Sequence, residues 1–68
     1  MSRTYYITQV HFDGGTTGPT RLLMIDTDKQ ALAKMKSFQK SYPESKFILE
    51  REGDGTYATW KSSPLDRS

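Results

Sequence analysis

Polar and apolar positions alternate through one segment, give way to a short apolar run, change to a helical period, and alternate again through two more segments. Residues Thr4 to Phe12 (TYYITQVHF) are nearly all β-branched or aromatic, which predicts a strand. Its alternation sets Tyr6, Thr8, Val10 and Phe12 against Tyr5, Ile7, Gln9 and His11, and leaves either set open as the core face. Asp13 to Pro19 holds three Gly and one Pro, the chemistry of a turn or flexible hairpin loop. Thr20 to Ile25 (TRLLMI) is almost continuously apolar after Arg21, a pattern that suits a strand inside a sheet more than one at its edge.

A helix start comes next. Thr27 with Gln30 three residues on fits a capping box, in which each side chain satisfies an orphan backbone donor of the other. Asp28 adds negative charge at the positive end of the helix. Ala31, Met35, Phe38 and Tyr42, with Leu32 beside them, make one apolar stripe. Lys29, Lys36 and Lys40 are expected opposite it, with Lys34 nearby, and Pro43 ends the helix near Tyr42. Lys46 to Glu52 reads as a third strand, Gly53-Asp54-Gly55 as a tight turn, and Thr56 to Ser62 as a fourth strand. The expected fold is α+β, in the order β-β-α-β-β: an antiparallel sheet of about four strands with one helix on one face. Residues 1–62 form a single small domain in this reading, and residues 63–68 a mobile tail. One helix covers one sheet face, so the other face is solvated or binds something.

Composition narrows the function. A chain of 68 residues, 34% hydrophobic, supports one thin core and no deep walled pocket. With no Cys, disulfides, iron–sulfur clusters and thiolate zinc sites are excluded. No apolar run reaches the roughly 18 residues of a membrane span, so a soluble, cytoplasmic protein is expected. The formal net charge of +2 is modest for a nucleic-acid binder, since phosphate neutralisation supplies most of that affinity. Its distribution is uneven: four lysines crowd the helix, whereas Glu44, Glu50, Glu52 and Asp54 crowd the segment C-terminal to it.

Catalytic motifs are sparse. His11 is the single histidine and stands in no nucleophile pattern. Asp26 and Asp28 could open a calcium loop, but Ala31 and Ser37 stand where an EF-hand needs Gly and Glu, so capping is the better reading. Glu52 and Asp54 flank a turn and read as a solvated hairpin end. The loop from Gly14 to Gly18 lacks the Gly-Lys-Ser/Thr of a phosphate cradle and leads into a strand. No cofactor and no catalytic residue is expected.

Two features suit binding. Lys29, Lys34, Lys36 and Lys40 could meet phosphates or an acidic protein patch, or simply be the solvated helix face. Gln30 and Gln39 are the only outward side chains suited to reading bases, so sequence-specific recognition is not expected. Tyr5, Tyr6, Tyr57 and Trp60 alternate so that at least one of each pair turns away from the helix, as an interface anchor or as part of a small core. Tyr5, Arg51, Tyr57 and Trp60 are the candidate partner-binding residues.

In architecture the chain resembles small phage-encoded inhibitors of the anti-CRISPR type. The likeness rests on Tyr5-Tyr6-Ile7 opening the first strand, the helix from Thr27 to Tyr42, and Gly55-Thr56-Tyr57-Ala58-Thr59-Trp60 closing the sheet. It implies a non-enzymatic protein that blocks a nucleic-acid-handling complex by binding its surface, in the host cytoplasm. The expectation is thus a protein-binding module, an inhibitor or adaptor whose partner is a larger protein complex. The alternative is direct, non-specific nucleic-acid binding through the helix lysines with Arg3, Arg21 and Lys61. A homodimer through an uncovered sheet face or edge is a further expectation.

Overall fold

The computed structural model describes residues 3–53 and 55–64. Strand β1 spans Arg3–Val10, β2 Thr16–Leu22, helix α1 Asp28–Ser41, β3 Lys46–Gly53 and β4 Thr56–Ser62. This is the expected β-β-α-β-β order in one antiparallel sheet with a single helix. The strands lie in the order β2-β1-β3-β4, so β1 and β3 are central and β2 and β4 are edges. Of the tail expected over residues 63–68, residues 65–68 lie outside the described residues, as does the turn residue Asp54.

Local chemistry accounts for the helix. Thr27 is its N-cap: Gln30 N–H donates to Thr27 Oγ1 at 3.2 Å, and Thr27 N–H donates to Gln30 Oε1 at 3.2 Å. At the other end Tyr42 caps the helix, its N–H donating to Phe38 O at 2.9 Å, and Pro43 comes next. Ala31, Met35 and Gln39 are the buried helix positions.

Cross-strand partners share a face, which settles the open choice on β1. Tyr5 pairs with Leu22 and Arg51, Ile7 with Thr20 and Leu49, and Gln9 with Thr17 and Phe47, all beneath the helix side. The core is Tyr5, Ile7, Ala31, Met35, Phe47 and Leu49, bordered by Leu22, Ile25, Leu32, Phe38 and Trp60. Tyr6, Thr8 and Val10 stand on the other face, where no residue is fully buried.

Two expectations on β2 are corrected. The hairpin turn is short, because Gly14 N–H donates to His11 O at 2.9 Å and His11 N–H to Gly15 O at 2.7 Å. Gly14 takes the positive φ of +96° that the turn requires. The strand therefore starts at Thr16, inside the expected loop, and ends at Leu22. It is also an edge strand rather than an interior one. Pro19, which has no N–H to give a ladder, is tolerated there. Gly18 and Pro19, joined by a cis peptide, bulge opposite Thr8 between the pairs Ile7–Thr20 and Gln9–Thr17. Gly18 has φ +104°, and a Cβ there would lie 2.8 Å from Ile7 O, so only glycine fits this bulge. Leu23 and Met24, expected in the strand, are 73% and 94% exposed. Met24 turns the chain away at φ +62° before the helix begins.

A hydrogen-bonded hub joins the helix start to the sheet. Tyr5 Oη donates to Asp28 Oδ1 at 2.6 Å, Arg51 Nη1 donates to Asp28 Oδ2 at 2.7 Å, and Arg3 lies 3.8 Å from Asp28. The Tyr5 hydrogen bond, then Arg51 and Arg3, hold the Asp28 carboxyl below its ordinary pKa of 3.8, against a smaller opposing effect of burial. Burial, and then the bond to Asp28, push the Tyr5 phenol above its ordinary 10.0. The consequences for stability have opposite signs. Asp28 stabilises the fold above pH 3.8, and this is lost as pH falls through its lower folded value. Tyr5 stabilises it below pH 10.0, and this is lost as pH rises through its higher folded value. Melting temperature followed by circular dichroism from acid to alkali should therefore fall at both ends. Asp28→Asn should flatten the acid arm and Tyr5→Phe the alkaline arm. Unchanged arms in both variants would count against the hub.

Candidate functional site

The helix packs mainly on β3 and less on β4. Strand β2 thus lies beyond its cover, exposed along its length except at the half-buried Leu22. Between β2 and the helix runs a groove of about 230 Å³, floored by Ile7 and Phe47 and walled by Leu22, Phe38 and Tyr42. Phe38 stacks on Phe47 with ring centroids 5.9 Å apart, and Tyr42 leans on the same ring at 6.4 Å. Thr17, Thr20 and Gln9 supply its polar margin. Gln9 and Tyr42 also border a second, wider cleft of about 570 Å³ that holds His11, Phe12 and Pro43.

Apolar side chains continue past both ends of the groove. Phe12, 82% exposed, projects from the β1–β2 turn, and Leu23 and Met24 project beyond Leu22. Seven residues of β2 separate these ends, about 23 Å at 3.3 Å per residue. Tyr42 lines both the groove and the cleft that holds Phe12, and Leu22 lines the groove beside Leu23, so the groove joins the two ends. Apolar surface joined in this way marks an interaction site more strongly than side chains scattered singly. His11 sits in this region with its Nε2 2.7 Å from Thr17 Oγ1. Among the described residues, no three of His, Asp and Glu gather as metal ligands.

The sequence-based candidates fall in different places. Tyr5 is 1% exposed and belongs to the core, so it offers no surface to a partner. Arg51 is drawn to Asp28, also donates to Thr56 Oγ1 at 3.1 Å, and lies 5.8 Å from the Trp60 ring. Its role is to tie β3 to the helix start. Trp60 is half-buried on the helix side beside Leu49. Tyr57 is 61% exposed on the opposite face, its hydroxyl donating to Glu50. The four therefore form no single patch.

The helix lysines are all exposed but also divide. At about 100° per residue, Lys29, Lys36 and Lys40 align on one flank, whereas Lys34 lies about 160° round from Lys36. Lys36 and Lys40 line a shallow cleft with Ser62 of β4. Lys34 sits over the Phe38 ring at 5.7 Å, on the groove side. Gln39, expected to point outward, is 4% exposed and bonds inward.

Sequence reasoning missed Phe12, Leu23, Met24 and Tyr42 as exposed side chains. Pro19 carried the available signal, because a proline inside a strand pattern demotes it to an edge. An edge strand beyond the helix leaves its apolar neighbours uncovered. No helix among the described residues is long and apolar enough to cross a membrane. No known family model, no curated protein and no solved structure matches this chain.

Proposed function

We propose that this protein is a non-catalytic binding module that docks onto a larger protein through the apolar strip along β2. The observation that carries this reading is the run of Phe12, Tyr42, Leu22, Leu23 and Met24 around the groove, with three of the five more than 70% exposed. The groove supplies a pocket for one apolar anchor of the partner, and its threonines and Gln9 supply a polar rim. By resemblance, the partner is a nucleic-acid-handling complex and the module an inhibitor or adaptor of phage anti-defence type, acting in the cytoplasm.

The test is capture of partners from host lysate with and without nuclease. The comparison is wild type against the triple substitution Phe12→Ser, Leu23→Ser and Met24→Asn. Asparagine tolerates the left-handed backbone at position 24. These side chains lie outside the core, so the melting temperature should move little. A nuclease-resistant complex with wild type, lost with the triple variant, is the expected result. Equal capture by both would overturn the strip as the docking site.

A second reading rests on the single flank shared by Lys29, Lys36 and Lys40. Three phosphate contacts would give a log–log salt slope of about −2.7 on duplex DNA. Nuclease-sensitive capture with such a slope would favour this reading over docking.

A further inference from the structure

The sheet face away from the helix has its own charge pattern. Along β3 it presents Lys46, Ile48, Glu50 and Glu52 in turn, flanked by Tyr6 on β1 and Lys61 on β4. Lys61 pairs with Ile48, and Tyr6 pairs with Glu50. On β3 and β4 the lysines thus occupy one end of the face and the glutamates the other, while Arg21 on the edge strand β2 stands level with Glu50. Six residues at about 3.3 Å put Lys46 and Glu52 about 20 Å apart, too far to pair within the chain. Among the described residues, Lys46, Lys61 and Glu52 form no ion pair of their own.

We infer that this face binds a second copy of the chain, stacked face to face about a two-fold axis that crosses the strands at Leu49. That axis reverses strand direction while keeping each strand over its own copy. Position 46 then lies over position 52 of the partner, and position 48 over position 50. Both Lys46–Glu52 contacts form at once, as an isologous interface requires. Lys61 lies beside the partner's Glu50 by the same operation, because Glu50 pairs with Thr59. A two-fold axis along the strands would instead set lysine end against lysine end. Charge complementarity therefore selects one arrangement as well as one occupant.

The interface is small. Four strands about 4.8 Å apart and eight residues long give roughly 500 Å² per copy, near the lower limit for specific association. The dimer is accordingly weak and forms at micromolar concentration or above. The β2 groove is on the other side of the sheet, so a dimer carries two docking strips facing outward. This inference does not depend on the strip.

Sedimentation velocity from about 10 μM to about 1 mM tests it. Wild type should pass from 7.8 kDa towards twice that mass with concentration. Lys46→Glu and Glu52→Lys each set like charges together twice per dimer, and each should weaken self-association by about tenfold or more. Mixing the two variants restores every opposite-charge contact, so a mixed dimer should form where neither variant alone dimerises. Wild type remaining at 7.8 kDa across the range would overturn the proposal. So would single variants that dimerise like wild type, or a mixture that stays monomeric.

Discussion

Leu49→Ala should cost about 2–5 kcal/mol, the largest loss from any one aliphatic side chain in this protein. Leu49 is 0% exposed, at the centre of β3 between Ile7 on β1 and Trp60 on β4. Leu49 belongs to the cluster that the helix completes with Ala31 and Met35, and the cost within that range is set by how far these neighbours close over the vacated space. A domain of 68 residues has only about 3–10 kcal/mol of total stability. The variant should therefore lose at least about a fifth of that stability, with a matching fall in its urea midpoint. Ile48→Ala is the matched comparison, one residue away on the half-buried opposite face, and should cost about 1 kcal/mol. Urea denaturation at low micromolar concentration separates them. Equal losses would mean that the helix does not define the core face as described.

The architecture was legible because each element carries its own local signal. Thr27 and Gln30 mark the helix start by mutual capping, Pro43 marks its end, and Phe47 and Leu49 mark the buried face of β3 by alternation. Strand order was not legible, since alternation says which residues share a face and nothing about which strands are neighbours. That gap explains the misreading of Thr20 to Ile25. An apolar run suits an interior strand, but Leu23 and Met24 are apolar for a surface, not for a core.

The partner-binding candidates lie apart from one another for a related reason. Tyr5 and Arg51 looked like anchors because both combine contact area with a polar end. That same combination lets them sit at the core margin and share Asp28, a residue 23 positions from each. Asp28 itself read as a helix-terminal charge, which it is, but its position in the first turn also aims it at the sheet. Pairings over such separations become visible only when the helix is laid on the strands.

Gln39 shows the same limit most sharply, and replacing it should produce the second large effect. A glutamine on a helix reads as solvent-facing. Here its Nε2 donates to Ser45 O at 2.7 Å and lies 3.3 Å from Tyr42 O and 3.5 Å from Pro43 O. Its Oε1 accepts from Ser62 Oγ at 2.7 Å. One side chain thereby joins the turn after the helix to the end of β4. Gln39→Leu keeps the volume but strands the Ser45 carbonyl and the Ser62 hydroxyl, at about 1–3 kcal/mol for each group left unsatisfied. A total of about 2–6 kcal/mol is expected, measured by urea denaturation. Gln39→Glu gives the sharper test. Its carboxylate would face carbonyl oxygens with no donor to offer, which raises its folded pKa above the unfolded value of about 4.3. Such a group stabilises the fold below the unfolded pKa and loses that contribution as pH rises through the folded one. Relative to wild type, the variant should therefore recover stability as pH falls from 7 towards 4, where the protonated acid can donate to Ser45 O. A deficit that stays constant with pH would show that the amide fills space there and does not clamp the two elements together.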